Sequence, residues 1–519
     1  MYSMENGGDV LFAETFGSTT IGVNGILINV EVDIGNGLPR FEIVGLPDMA
    51  VKESKERVRA AIKNSGFQFP ARKMTINLAP ADLKKDSSGL DLPIAVGILA
   101  ANGFLPIERC RRCMFAAELS LDGKLRGITG VLPMAVHCHK QGIKTMFVAP
   151  DNANEALLVE NFTVYAPESL AELIDFFNND KPDLMPAVRS QAPVLSMTGS
   201  QEDFADVQGQ FFGKRALEIA AAGGHNVLMI GPPGSGKTML AKRVSSILPR
   251  MSNQEALEVT KIYSVAGLLK HGAGLIANRP FRSPHHTISS AGMIGGGTVP
   301  KPGEVTLSHH GVLFLDELPE FSKSTLEVLR QPLEDRMVTI SRVNASISYP
   351  SNIMLIASMN PCPCGFSSDD TSGHICTCTA NEIKRYTKKI SGPLLDRIDI
   401  HIHVPRVAYA DLTVNVPAEA SEVIRKRVEQ VRQIQEKRFG RSGIFCNAQM
   451  SHRQLRHCCE LTKNAQRMLE LVFQKLGLSA RSYDRLIKVA RTIADMDNED
   501  IINESHVAEA IQLRSNILL

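Results

Sequence analysis

Val227-Leu-Met-Ile-Gly231-Pro-Pro-Gly-Ser-Gly-Lys237-Thr238-Met239 is a short apolar run leading straight into a glycine-rich turn. Leu240, Val244, Ile247 and Leu248 then share one face of a helical period, so the stretch reads as strand, loop and helix. In that setting the loop is a phosphate cradle. Its glycines let backbone N–H groups close around a β-phosphate, Lys237 reaches the β and γ oxygens, and Thr238 offers a hydroxyl to Mg²⁺. Gly231, Pro232, Pro233, Gly234, Ser235, Gly236, Lys237, Thr238 and Met239 are the expected nucleotide contacts. A chance Gly/Pro turn would not come with a strand before it and an amphipathic helix after it.

Two further segments answer the needs of that cradle. Val312-Leu-Phe-Leu-Asp316-Glu317 is an apolar strand ending in two acids. Asp316 is placed to hold Mg²⁺ and Glu317 to polarise an attacking water. Ile353-Met-Leu-Ile-Ala-Ser-Met-Asn360 is another buried-strand pattern whose amide arrives at the C-terminal end, where parallel sheets bind ligands. Asn360 alone would pass for a turn residue; beside the other two motifs it reads as the sensor of the γ-phosphate or the water. The three together predict a parallel α/β domain that hydrolyses ATP with Mg²⁺.

These residues resemble the magnesium-chelatase-like branch of AAA+ ATPases. Ser391-Gly-Pro-Leu-Leu-Asp-Arg397-Ile-Asp looks like the arginine-finger segment of that branch, which implies that Arg397 completes the site of a neighbouring subunit. Ser479-Ala-Arg481-Ser-Tyr-Asp-Arg485 looks like its helical-domain sensor, which implies that Arg481 touches the phosphate bound in its own subunit. Read without the resemblance, each arginine would be an ordinary helix-surface ion pair. A finger supplied in trans makes hydrolysis depend on assembly, and the family implies a homo-hexameric ring.

Bulk properties bound the rest. A chain of 519 residues is expected to form about three domains. With 44% hydrophobic and 22% charged residues it has the composition of a soluble globular protein. A net charge of +2 leaves any attraction to nucleic acid to local basic surfaces. The weakly polar stretch 92–106 is interrupted by Asn102 and Gly103 and is too short to span a bilayer, so no membrane helix is expected. The first residues lack the basic and apolar regions of a secretory signal, and the cytoplasm is the expected location. In a reducing compartment the ten cysteines point to metal or buried thiols rather than disulfides.

The expected organisation is an α+β domain over 1–178, a linker over 179–203, the P-loop domain over 204–412 and an all-α lid over 413–519. In the first, alternation over Ile21–Asp33 and Phe41–Val44 predicts strands, and Val51, Ser54, Val58, Ala61 and Ile62 predict a helix. Further strands are expected at Thr75–Leu78, Glu118–Leu121 and Thr145–Val148. In the lid, Val423, Val428, Val431 and Ile434, then 469–476, 486–493 and 507–513, are the apolar faces. Lys85–Ala95, Ala117–Gly130 and His139–Lys144 resemble the proteolytic domain of Lon-type proteases, of the S5 type. The positions matching that family's serine and lysine are Asp91 and Leu132, and a leucine takes no proton. The resemblance therefore implies a Lon-like fold without proteolysis, unless Ser87 or Ser88 finds another base.

Between Thr238 and Asp316 lies an insert containing Arg282-Ser-Pro-His-His286 and the five-glycine stretch Gly292–Gly303. It resembles the family's helix-2 insert, which faces the ring's pore. Arg336–Tyr349 reads as a hairpin before the sensor strand, with Arg342 and Asn344 near its tip. Arg282, Lys301, Arg336, Arg342 and Asn344 are candidate DNA contacts, since phosphates ask only for positive charge and donors; a solvated hairpin is the plainer alternative. Residues 422–456 carry nine Lys/Arg against three Glu, a second basic concentration that a solvated helix face would equally explain.

Cys362-Pro-Cys364 and Cys376-Thr-Cys378, 11 residues apart in a polar loop, form a C-x-C pair of pairs suited to a closed, structural Zn²⁺ site. Reduced surface thiols remain the alternative. Cys110 and Cys113, without a second pair nearby, are expected to be structural, and His401 and His403 to be edge-strand residues. The order of a degenerate Lon-like domain, a chelatase-like AAA+ module and a helical lid resembles the YifB/ComM group along essentially the whole chain. That resemblance implies a hexameric ATP-driven DNA motor, a branch-migration helicase of recombination and natural transformation. A magnesium-chelatase motor subunit and an AAA+ protein remodeller are the alternatives.

Overall fold

In the computed structural model, residues 12–85, 87–179, 183–188, 202–269, 274–297, 300–342, 345–367, 375–407, 418–440, 442–476 and 479–514 are described. They fall into two compact units, one of residues up to 196 together with 256–277, the other of 197–255 and 278–519.

The first unit is built on a seven-stranded mixed sheet in the order 40–44, 73–79, 24–35, 12–21, 113–116, 145–148, 163–165. Its long hairpin pairs Phe12–Ile21 with Asn24–Gly35 antiparallel, and the strands beyond Phe12–Ile21 run parallel. Alternation in the sequence fixes which face is buried: Val30, Val32 and Ile34 point into the core while Glu31 and Asp33 do not. The helix Met49–Asn64 buries Val51, Ser54, Val58, Ala61 and Ile62, the set that its periodicity predicts. Asp48 caps it, accepting from the Val51 amide at 3.0 Å, a contact worth about 1 kcal/mol. The strand expected at Glu118–Leu121 is found earlier, as Cys113–Ala116 with a two-residue bridge at Glu118–Leu119. Polar Glu118 and Ser120 mislead there, because Cys113–Ala116 is buried on both faces and shows no alternation. Residues 256–277, which follow the P-loop helix in sequence, pack with this unit, where the Ser264 hydroxyl donates to half-buried Glu155.

The second unit carries a five-stranded parallel sheet in the order Phe281–Arg282, Val312–Leu315, Met354–Met359, Val227–Ile230, Ile400–His403. Both faces are covered, so these strands read as unbroken apolar runs. Helices Ser421–Phe439, His452–Cys458, Lys463–Leu476, Ala480–Met496 and Glu504–Gln512 follow. They share one hydrophobic core with the sheet, in which Val227 and Ile400 of the strands join Val428, Ala490 and Val507 of the helices. The first of these helices buries Ile424, Val428, Val431, Gln435 and Phe439, whereas Val423 is 47% exposed. The expected face was thus one residue out of register at its start, since Val423 and Ile424 are both apolar and only packing tells them apart. The hairpin Met337–Arg342 with Ala345–Pro350 forms as expected. Among the described residues no helix is long and apolar enough to cross a membrane.

Candidate nucleotide site and its surroundings

The phosphate cradle lies between the strand Val227–Ile230 and the helix Lys237–Ile247. Gly234 and Gly236 adopt φ of +75° and +88°, which a side chain would strain, and nothing stands within 4 Å of where a Gly234 Cβ would be. Lys237 is buried, and its Nζ donates to the carbonyls of Gly231 at 2.8 Å and Pro232 at 2.9 Å and reaches Asn360 Oδ1 at 3.4 Å. Burial pushes this ammonium down, against the pull of Asp316 and Glu317.

The sheet order brings the other motifs to the same edge. The Thr238 hydroxyl donates to Asp316 Oδ2 at 2.8 Å, which sets a hydroxyl and a carboxylate side by side as Mg²⁺ ligands require. The opposite oxygen of Asp316 accepts from Ser358, whose Oγ lies 3.4 Å from the Glu317 amide. Ser358 was not singled out from the sequence. The readable signal was a lone hydroxyl two residues before Asn360 in an otherwise apolar strand. Glu317 has φ 53°, a left-handed conformation unusual outside glycine, and its side chain is 59% exposed beside His286 Nδ1 at 3.8 Å. His286 too had no assigned role.

The residues fit MgATP: a glycine turn with positive φ at Gly234 and Gly236, a buried ammonium after it and a hydroxyl–carboxylate pair beside it. Bound Mg²⁺ would supply positive charge to the phosphate oxygens. Thr238 and Asp316 would hold it, Lys237 would orient the β and γ oxygens, and Glu317 would take the proton from the attacking water.

Arg397 is only 8% exposed; its Nη1 donates to the Pro393 carbonyl at 2.7 Å and its Nη2 pairs with Glu334 of the same chain. The pair lines a cleft of about 440 Å³ with Ile294, Glu327, Arg330 and Gln331. Arg481 is exposed in the first turn of Ala480–Met496, whose Ser479 cap accepts from the Ser482 amide at 3.2 Å. Arg485, one turn on, pairs with buried Asp399 at 2.5 Å, so the segment containing Arg397 is tied to the lid helix containing Arg481. Burial opposes the charge on Asp399, yet Arg485 holds its carboxyl far below the usual carboxylate range.

The expected DNA contacts differ in their partners and exposure. Arg282 is committed to Glu304 by two bonds of 2.7 Å. Lys301 is exposed on the small hairpin of Gly295–Gly296 and Lys301–Pro302. Arg336 sits at the base of the longer hairpin, half-buried, its charge pushed down by burial. Asn344 and the side chain of Arg342 lie outside the described residues. In the basic stretch 422–456, Arg427 is taken by Glu218 and Glu419, Arg438 by Asp495 and Lys426 by Glu422 at 3.5 Å, while Lys437, Arg453 and Arg456 are exposed.

The four loop cysteines converge. Cys362 Sγ lies 3.3 Å from Cys364 and 3.8 Å from Cys376, Cys364 lies 3.5 Å from Cys376, and the Cys364 amide is 3.4 Å from Cys378 Sγ. Zn–S bonds of about 2.3 Å in a tetrahedron put sulfurs roughly 3.8 Å apart, so the donor set has the size of a zinc site. The Phe366 amide pulls the Cys364 thiol down to about 6, toward the thiolate a metal takes. By contrast Cys110 and Cys113 are buried thiols pushed up to about 12 by burial. His401 lies on the edge strand as expected, yet is buried and pushed down to about 3 by burial.

In the first unit, Asp91 is the residue that the sequence comparison sets against a Lon-type serine. It is fully buried and accepts from Ser54, from Arg57 Nε at 2.6 Å and Nη2 at 3.0 Å, and from the Leu119 amide at 3.2 Å. Burial pushes its carboxyl up against those partners. Leu132 is buried, and Ser87 Oγ accepts from the Gly89 amide at 3.1 Å.

The family described as magnesium chelatase, subunit ChlI, matches residues 203–412, with companion ChlI families matching 30–152 and 418–514. Competence protein ComM of Haemophilus influenzae is 42% identical over 98% of both chains. The uncharacterized protein YifB of Escherichia coli is 43% identical over 95% of both. Lon protease 2 of Bacillus subtilis is 33% identical over 28% of this chain and 27% of its own. With a P-loop, an acid pair and a sensor amide gathered on one sheet edge, that full-length likeness places the chain in the YifB/ComM family of magnesium-chelatase-type AAA+ ATPases.

Proposed function

We propose that the chain works as a homo-hexameric ring that uses ATP hydrolysis to move DNA, as a branch-migration motor in recombination and natural transformation. The observation that carries this reading is likeness to a competence protein along 98% of both chains. Within the ring, Lys237, Thr238, Asp316, Glu317 and Asn360 form one half of each site. Arg397 of the neighbouring subunit supplies the charge that stabilises the transition state, and Arg481 reads the phosphate from the lid of the same subunit. Arg397 must exchange Glu334 for the neighbour's phosphate to do so, and the cleft at its side gives it room. Lys301, Arg342 and Asn344 are the DNA contacts of the pore; Arg282 pairs with Glu304 and Arg336 reaches the Gln449 carbonyl inside the fold. The four loop cysteines hold a structural Zn²⁺. The Lon-like unit does not cleave peptides, because Asp91 is spent on Arg57 and Leu132 supplies no base.

The test is the steady-state ATPase rate with single-stranded, duplex and branched DNA, with an unfolded protein and with a chelatase partner subunit, at matched salt. Stimulation by DNA that weakens as salt rises supports the motor. DNA that neither binds nor stimulates removes it, and stimulation by polypeptide or by the partner subunit assigns the ring to that substrate instead.

A further inference from the structure

The cysteine cluster stands against the nucleotide site. Cys362 is two residues after the sensor Asn360, and its buried sulfur accepts from the Gly365 amide at 3.2 Å. Gly365 has φ +91°, and a Cβ there would meet the Pro233 ring at 2.6 and 2.8 Å, so the loop backbone lies directly on the phosphate cradle. Arg406 closes the same contact from the other side, its Nη2 at 3.4 Å from the Pro233 carbonyl and its guanidinium over the Phe366 ring at 5.6 Å. At the far end of the loop, Cys378 is followed by Thr379, which caps the helix Ala380–Thr387 through a reciprocal pair with Glu382. That helix carries buried Tyr386 back to the Asn360 backbone amide, from which it takes a hydrogen bond. Two described parts of this segment thus meet the site, Gly365 at Pro233 and Tyr386 at the Asn360 amide.

The sulfur cluster joins the two described ends of this loop, Cys362 and Cys364 on one side and Cys376 on the other. Between its two cysteine pairs runs Gly365-Phe-Ser-Ser-Asp-Asp-Thr-Ser-Gly-His-Ile375, in which only Phe366 and Ile375 are large and apolar, and Ile375 is 88% exposed. A metal cross-link between the two cysteine pairs offsets the entropy of closing the chain between them.

We propose that zinc held by Cys362, Cys364, Cys376 and Cys378 is coupled to ATP binding: the metal fixes the loop that positions Asn360 and braces the Pro233 turn, so its loss loosens the cradle. The coupling rests on the reading of these thiols as a zinc site. It assigns the metal to the nucleotide site as a positioning element, with no part in the chemistry. Lys237, Thr238 and Asp316 keep their own bonds without it, so nucleotide affinity falls rather than disappears.

The test measures zinc content and the affinity for a fluorescent ATP analogue with Mg²⁺ on the full chain. Wild-type protein is expected to hold one zinc per chain. Cys376→Ser is expected to lose it and to bind nucleotide about tenfold more weakly, a typical size for coupling between sites. Gly365→Ala, which removes no sulfur and keeps the backbone amide that reaches Cys362, is expected to keep zinc and show a loss in the same direction. Stripping wild-type protein with a zinc-selective chelator and reloading with zinc alone repeats the comparison without a substitution, and covers a Cys376→Ser chain that fails to fold. Wild-type protein without zinc overturns the metal reading and the coupling with it. Zinc present but removable with nucleotide affinity unchanged overturns the coupling alone and leaves the metal site standing.

Discussion

Two helices of this molecule begin with a buried charged residue, and they do opposite things with it. Asp91 opens the helix Asp91–Ala101 with its carboxylate saturated by Ser54, Arg57 and the Leu119 amide. Lys237 opens the helix Lys237–Ile247 with its ammonium resting on two backbone carbonyls and a distant amide, at the end of a glycine-rich turn. The first group has found every partner it needs inside the fold, and replacing a partner there costs stability. The second is held by groups that a phosphate would outcompete, which is the condition of a site. Arg397 is where the contrast is sharpest: Glu334 and Pro393 satisfy it as Arg57 satisfies Asp91, while the cleft beside it is open.

Arg397→Ala is therefore the largest test of the comparison. Turnover is expected to fall about 10³–10⁵-fold with nucleotide affinity nearly unchanged, as for a finger supplied in trans. Weakened folding with a normal ATPase rate would return Arg397 to the same class as Asp91. Glu317→Gln follows, with a loss in kcat of about 10²–10⁴-fold and retained ATP binding, read by single-turnover hydrolysis and by titration with a fluorescent nucleotide. Asp91→Ala is expected to cost the N-terminal unit about 3 kcal/mol in urea unfolding, because Arg57 is left without its partner, and to leave the ATPase rate alone. A lost ATPase rate would show that the first unit takes part in turnover.

The smallest effect is the dependence on pH. Burial brings the folded-state pKa of His401 down to about 3. The unfolded imidazole titrates near about 6.5. Between those values the unfolded chain binds the extra proton, so stability falls as pH drops from about 6.5 toward 3. His401→Leu is expected to reduce the loss in melting temperature between pH 7 and pH 5 by about 2–4 °C. An unchanged slope would assign the acid sensitivity to other groups, buried His225 first among them, since burial pushes it down as well.

The local motifs were legible because each depends on a few adjacent residues. The strand at Val227–Ile230, the hairpin before the sensor strand and the buried face of Met49–Asn64 all stand where spacing puts them. The misplaced strand near residue 118 and the shifted face at Val423 failed for one reason: apolar runs without alternation carry no phase, and packing supplies it.

What the sequence determined by itself was the chemistry of the phosphate cradle, since glycine turns, an ammonium, a hydroxyl and paired acids are properties of residue types at fixed spacing. What only the tertiary structure decided was how those groups are held. Ser358 on Asp316, His286 beside Glu317, Glu334 on Arg397 and Gly365 against Pro233 join residues 30 or more positions apart. Such contacts exist only once strands are ordered in a sheet, because a short-range pattern records which face of an element is buried and not which neighbour covers it.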